Sequence, residues 1–456
     1  MSSGPFTSAC SFLLLFLFLG LGSRICYGSG FGFNIHHRFS DPVKGILRFD
    51  GLPERGSVEY YAAMSHRDRL IRGRHLAASN NQTSPRTFFK GNKTAKINSL
   101  GFLHYANVSV GTPSLSFWVA LDTGSDLFWL PCDCKPGSCV TGLQMSSGSI
   151  IDLNIYSPSN SSTSKNVSCN STLCGRTPSC PSANGNCPYN VSYPSNNSTS
   201  STGILVEDIL HLITDDDQRK VVDTPITFGC GQNQTGSFLE GAAPNGLFGL
   251  GIGNISVPST LARNRLASNS FALCFGRDGF GRISFGNNGS SDQSETPFNI
   301  RQSLQTYNIS ITQITVGKNF SELEFSAIFD SGSSFTSLRD PAYTFISKSF
   351  NSQIQEKRHR SDPQMPFEYC YYLRENQTSY VIPDVDLTMK GGGRYSLNNP
   401  TVIVTTKGGA LLYCLGLHKS KVNIDIIGQN FMTGYRIVFD RERMVLGWKD
   451  SNCELQ

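Results

Sequence analysis

The sequence is poor in charge: Asp, Glu, Lys and Arg together make up 16% of its 456 residues. That shortage, beside 44 Gly and 21 Pro, excludes a coiled coil or other long-helix protein and favours strands joined by turns. Long apolar runs are also missing. Phe12–Leu21 is only about ten residues long, half of what a membrane-spanning helix needs, and no later run reaches that length. The end of the chain, Ser451–Gln456, has no hydrophobic tail, so neither a transmembrane segment nor a lipid anchor is expected. Nor is there a basic surface spread over the molecule. The formal charge of +5 is concentrated at 29–96, where 12 Lys/Arg face 5 Asp/Glu. With Arg24 also set aside, 97–456 is left at about −3, which argues against a nucleic-acid partner.

What is present begins with a leader. Phe12–Leu21 runs into the small-residue stretch Tyr27-Gly28-Ser29-Gly30, the pattern of a secretory signal, expected over 1–28. Of the 14 Cys, Cys10 and Cys26 would leave with it. The others, Cys132, Cys134, Cys139, Cys169, Cys174, Cys180, Cys187, Cys230, Cys274, Cys370, Cys414 and Cys453, are disulfide candidates in an oxidising compartment. Sequons at Asn81, Asn160, Asn170, Asn197, Asn233, Asn288 and Asn376 fit the same route as glycosylation sites. Cys132, Cys134 and Cys139 could imitate a metal knuckle, but with no His nearby disulfide use is expected; no metal or cofactor is expected anywhere. The run Asp215-Asp216-Asp217 reads as a solvated turn rather than a cation site.

The segment 29–96 combines HHRFSD at His36–Asp41 with a basic helical stretch at Ser65–Ala77 and a polar, linker-like tract at Ser79–Lys96. A basic segment ahead of an acidic body reads as a removable pro-segment that blocks an acidic cleft by charge pairing, the alternative being a permanent surface arm. His36-His37 would gain charge as the secretory route acidifies, which reads either as a device that times activation or, the more ordinary case, as a solvated pair. From Phe102 onward, short alternating runs broken by Gly and Pro predict dense β structure. Within it, Asp152–Ser201 is rich in Ser and Asn and poor in large apolar residues, so disulfide staples must replace a core there.

An internal echo carries the chemistry. Leu121-Asp-Thr-Gly-Ser-Asp-Leu-Phe-Trp-Leu130 recurs as Phe329-Asp-Ser-Gly-Ser-Ser-Phe-Thr-Ser-Leu338, and each copy has an apolar-apolar-Gly sequel, Leu247-Phe248-Gly249 and Ile426-Ile427-Gly428. Two similar lobes follow. An Asp at the end of a buried run needs donors around it. Gly124 and Gly332 permit a tight turn that aims backbone amides at the carboxylates. Thr123 and Ser331 can bond across the interface, and Ser125 and Ser333 can donate to Asp122 and Asp330. If the halves pair, Asp122 and Asp330 meet, share one proton and activate a water. Asp126 reads as structural, since a third carboxylate would add repulsion without a role.

The motifs HHRFSD, HYANVSVGTP, LDTGSDLFWLPCDC, FGCGQNQTG, NGLFGLG, FDSGSS and IIGQNFM resemble the pepsin-type aspartic endopeptidases, in particular the plant secreted group related to nepenthesin. The resemblance implies an all-β, bilobal fold of two pseudo-dyad-related β-barrel-like lobes with a cleft between them. It implies endoproteolysis at acidic pH between apolar residues of protein or peptide substrates, and a pro-segment acting as intramolecular inhibitor. Expected boundaries are 29–96 for the pro-segment and linker, 97–292 for the N-terminal lobe with a Cys-rich insertion at about 132–190, and 293–456 for the C-terminal lobe. By likeness, Tyr193 takes the place of the flap tyrosine over substrate and Trp129 that of its buttress, although Pro194-Ser195-Asn196-Asn197-Ser198-Thr199 replaces the expected Gly-rich tip. The likeness also suggests Cys370–Cys414 as a bridge of the second lobe; Cys230 with Cys453 is a further pairing expected without that support. A secreted monomer is expected, apoplastic or vacuolar. The rival is a pepsin-fold protein that binds without cutting, like plant inhibitors of microbial glycosidases.

Overall fold

The computed structural model describes residues 31–37, 56–72, 88–89, 92–96, 104–144, 150–174, 180, 182, 185–193, 199–214, 220–277, 280–299, 305–360, 365–374 and 380–453. The expected signal segment, the tip residues 194–198 and the acidic run 215–217 fall outside them.

Alternation builds the first lobe. The strands β1 (Phe31–His37), β2 (His104–Val110) and β3 (Leu115–Asp122) are joined in one sheet, with β2 antiparallel to both neighbours. Ala106, Val108 and Val110 of β2 and Phe117, Val119 and Leu121 of β3 all point inward and are buried, while Asn107 is exposed. This is the period of two that a half-buried strand imposes. Each of the Val, Leu and Phe side chains contributes about 1.5–3 kcal/mol when fully buried. Next come β4 (Trp129–Pro131), β5 (Pro188–Tyr193), and the long hairpin β6 (Thr199–Ile213) and β7 (Val221–Gln234). β5 edges the hairpin, and β4 runs parallel to β7.

The repeat seen in the sequence is a repeat in space. In the first half, β8 (Leu247–Gly249) lies parallel to β3, pairing Gly249 with Asp122, and antiparallel to β4 at Trp129. The second half has β9 (Asn308–Val316), β10 (Phe325–Phe329), β11 (Thr336–Leu338) and β12 (Ile426–Ile427). There β12 lies parallel to β10 and antiparallel to β11. The glycine closing each apolar-apolar-Gly triplet is required by close approach. A Cβ on Gly249 would sit 2.3 Å from Asp126 backbone atoms, and one on Gly428 2.5 Å from Phe335 backbone. In each lobe the backbone leaving the Asp loop passes directly over that position.

β1 is inserted between β2 and the strand Phe280–Phe285, and the sheet continues through Ser270–Phe275, Tyr435–Asp440, Val445–Asp450 and Ser294–Pro297. The fold is thus mostly β and bilobal, with the C-terminal strands closing back onto the first half. The helix α1 (Val58–Arg72) begins earlier than the basic stretch suggested and packs on the second lobe, where Val58, Tyr60 and Met64 join Phe335, Phe367 and Leu412. The tract read as a linker is also partly in a sheet, because Asn92–Lys96 pairs in parallel with Val140–Gln144.

All twelve cysteines after the expected signal form disulfides: Cys132–Cys230, Cys134–Cys139, Cys169–Cys180, Cys174–Cys187, Cys274–Cys453 and Cys370–Cys414. The suggested Cys370–Cys414 bridge is present; the suggested Cys230–Cys453 bridge is not. The parallel pairing of β4 with β7 sets Cys132 beside Cys230, with Cα atoms 4.9 Å apart. Cys453 instead follows the strand Val445–Asp450, whose neighbour Tyr435–Asp440 pairs with Ser270–Phe275, so it meets Cys274. The Cys132/Cys134/Cys139 knuckle is wholly committed to disulfides, to Cys230 and within itself.

Candidate active site

Asp122 closes β3 and Asp330 follows β10, each at the point where an apolar strand turns over its glycine. Both carboxylates are almost wholly buried, 1% and 2% exposed. Their surroundings are copies of each other. Gly124 N donates to Asp122 Oδ1 at 2.9 Å and Ser125 Oγ to Oδ2 at 2.6 Å. Gly332 N donates to Asp330 Oδ1 at 2.9 Å and Ser333 Oγ to Oδ2 at 2.8 Å.

The two loops grip each other through the hydroxyls between. Thr123 Oγ1 donates to the Phe329 carbonyl at 2.9 Å and accepts from Ser331 N at 2.9 Å. Ser331 Oγ donates to the Leu121 carbonyl at 3.1 Å and accepts from Thr123 N at 3.0 Å. Residues 208 positions apart in sequence are thereby locked in a two-fold arrangement. Trp129 Nε1 donates to Tyr193 OH at 3.4 Å, and both rings pack on Phe238 with centroids 4.9 and 5.0 Å away. Tyr193 ends β5, paired antiparallel with Thr199 of β6.

Residues 104–287 match the family model "Xylanase inhibitor N-terminal" and residues 304–450 match "Xylanase inhibitor C-terminal". Aspartyl protease family protein 1 of Arabidopsis thaliana is 58% identical over 452 residues, covering 98% of this chain and 87% of the relative. The chain belongs to the pepsin-like aspartyl protease family of plants. Aspartic proteinase-like protein 1 of Arabidopsis thaliana is 38% identical over 97% of this chain and 85% of its own length. Aspartic proteinase nepenthesin-2 of Nepenthes gracilis is 24% identical over 76% of this chain and 77% of its own. The crystal structure of basic 7S globulin from soybean shares the fold, with a TM-score of 0.60 and 23% identity over 77% of this chain and 92% of that one.

Within this aspartyl protease fold, Asp126 has its own surroundings. Gly253 N donates to its Oδ1 at 2.8 Å, and a Cβ on Gly251 or Gly253 would fall 2.2 or 2.4 Å from its carboxylate oxygens. Burial raises its pKa above the usual carboxylate range, against the pull of Gly253 N–H and Arg441. It braces the chain after β8 and, with Ser259, Tyr307 and Arg441, lines a cavity of about 840 Å3.

Sequence reasoning passed over several side chains that support the two loops and the strands beside them. Gln429 Nε2 donates to the Ser331 carbonyl at 2.6 Å, while its Oε1 meets His104 Nδ1 at 2.9 Å, linking β2 of one half to the Asp330 loop of the other. Tyr307 OH donates to the Leu250 carbonyl at 2.7 Å. The signal for Gln429 was within IIGQNFM, one residue past the glycine. Asp68 of α1 is a further contact with that loop.

Proposed function

We propose that this family member is a secreted aspartic endopeptidase, hydrolysing peptide bonds, between apolar residues, at acidic pH. The observation that carries the reading is the doubled carboxylate cradle with its reciprocal hydroxyl grip. The inner donors, Gly124 N and Gly332 N, fix one oxygen of each carboxylate; Ser125 and Ser333 fix the other. Neighbouring carboxylates cannot both ionise readily, so the pair holds one proton. The ionised member removes a proton from a water, which attacks the peptide carbonyl, and the protonated member hydrogen-bonds the developing oxyanion. That singly protonated form exists only between the two apparent pKa values of the pair, which gives a bell-shaped profile with an acidic optimum.

Tyr193, held by Trp129, serves as the flap residue that covers bound peptide. The chain enters the secretory route by 1–28, loses 29–96 on activation, and works as a glycosylated monomer in the apoplast or vacuole; its six disulfides support an oxidising destination. The lobes are 97–292 and 293–456.

A second reading, a pepsin-fold protein that binds a partner without cutting it, is favoured by the inhibitor names of the matching family models. One assay separates them. Acid-treated protein should cut denatured globin at acidic pH, pepstatin should stop it, and Asp122→Ala should lower the rate roughly 10²–10⁴-fold or more. Equal rates for Asp122→Ala and the unaltered chain would reject the protease.

A further inference from the structure

The helix α1 docks through one stripe. Val58, Tyr61, Ser65 and Asp68 recur at spacings of three and four, so they share a face. Tyr61 packs on Phe335 and Phe367 at 6.2 and 5.7 Å, and Ser65 Oγ meets His418 Nε2 at 3.1 Å. The chain before the helix is tied down as well, by a bridge between Ser57 and Thr405.

Asp68 ends this stripe in an unusual place for an acid. Its carboxylate, 5% exposed, accepts from Ser334 N through both oxygens at 3.0 Å, from Ser334 Oγ at 3.0 Å and from Phe335 N at 3.0 Å. A buried carboxylate is tolerated only where donors replace its water, and consecutive backbone N–H groups converging on one point form an anion nest. The position of this nest gives it meaning. Ser334 directly follows Ser333, whose hydroxyl holds the outer oxygen of Asp330. Backbone donors on the shoulder of a catalytic loop are those that an incoming peptide's carbonyl or carboxylate would use. The sequence suggested that the basic side chains of this segment would do the blocking, by pairing with an acidic body. Among the described side chains of the segment, an acidic one meets backbone amides, and the ion pair at the start of the helix is Glu59 with Lys407 at 3.7 Å.

We propose that the Ser334–Phe335 amides form a carboxylate-binding subsite beside Asp330, and that Asp68 fills it as a built-in ligand, latching α1 onto the second catalytic loop until it is displaced. The consequence for activity rests on the protease reading, but the latch needs no bond to be cut.

The test is run on the full chain carrying Asp330→Asn, which removes self-cleavage. Adding Asp68→Asn should speed hydrogen exchange in Val58–Arg72 by roughly tenfold or more, since charge-assisted bonds are the strong ones, with β2 and β3 unchanged. The vacated nest should then bind a labelled synthetic peptide of residues 58–72 roughly tenfold tighter than its Asp68→Asn counterpart, read by fluorescence anisotropy. Unchanged exchange, or equal binding of the two peptides, overturns the proposal. If Asp68→Asn does not fold, Asp68→Glu carries the test. Its longer side chain displaces the carboxylate, so exchange faster than in the Asp68 chain is expected, and equal exchange overturns the latch. Latch behaviour as stated together with no cleavage of any peptide by the Asp330 chain would reject the protease reading alone.

Discussion

Thr123 Oγ1 and Ser331 Oγ each donate to one carbonyl and accept from one amide across the interface, so neither hydroxyl has a spare partner to lose. Both residues are buried, 1% and 0% exposed, and water cannot readily replace what a truncation removes. Thr123→Ala would leave Ser331 N and the Phe329 carbonyl unpaired. At about 1–3 kcal/mol for each stranded group, a loss of roughly 2–6 kcal/mol is expected. Thr123→Ser keeps the hydroxyl, as Ser331 does by nature, and should cost about 1 kcal/mol or less for the missing methyl. Chemical denaturation of the two variants checks the contrast; similar losses would show that packing, not the hydroxyl, holds the loops. This part of the site was legible because chemistry and spacing repeat along the chain. Gln429 and Asp68 were not. Gln429 lies inside IIGQNFM, but neither it nor Asp68 is marked locally with what it binds, because each acts through a single side chain on a partner 98 or 266 residues away.

At the scale of the element, β1 shows how composition can hide a strand. The segment drew attention for His36-His37 and its positive charge, yet Phe33 and Ile35 alternate as a strand requires, and Ile35 is fully buried. β1 pairs with Phe280–Phe285 from Phe31–Phe285 to His36–Phe280, and with β2 at His36–Tyr105. His36 packs edge-on against Trp118, at 6.4 Å, and burial lowers its pKa below the ordinary value. The neighbouring strand carries Arg282, which donates to Asn34 at 2.9 Å and adds positive potential. The folded chain therefore holds His36 neutral while the detached segment, with a pKa near 6.5, takes up a proton first. Stability rises with pH wherever the unfolded state binds more protons. The seat of β1 is thus expected to be firm at neutral pH, to weaken as pH falls below about 6.5, and to have lost the full contribution once pH is below the depressed folded value. Hydrogen exchange in Phe31–His37, corrected for the intrinsic pH dependence of amide chemistry, should accelerate on acidification, and His36→Phe should remove most of that acceleration. Identical pH profiles for the two chains would sink the argument.

The disulfides of the molecule close loops of very different length. The expectation of two similar lobes came from a repeated motif, and the structure places both copies under the same crossing of strands. Of the two bridges suggested from the sequence only Cys370–Cys414 forms, because connectivity depends on which strands become neighbours. Cys274–Cys453 spans 179 residues and fastens the end of the chain to the strand Ser270–Phe275, which continues the sheet that contains β1, β2 and β3. Cys134–Cys139 spans only 5 residues within a single turn. If a disulfide stabilises by removing loop entropy from the unfolded chain, the two should differ sharply, at about 5 kcal/mol for the long loop and about 2 kcal/mol for the short one. Paired Ser substitutions keep each site small and polar without leaving a lone thiol. Cys274→Ser with Cys453→Ser is expected to lower the denaturation midpoint well beyond Cys134→Ser with Cys139→Ser, and to release the strands Tyr435–Asp440 and Val445–Asp450 to exchange first. Equal shifts would mean that native packing around each bridge, rather than the length of chain it closes, sets its contribution, and would remove the reason for treating the C-terminal strands as the clasp between the lobes.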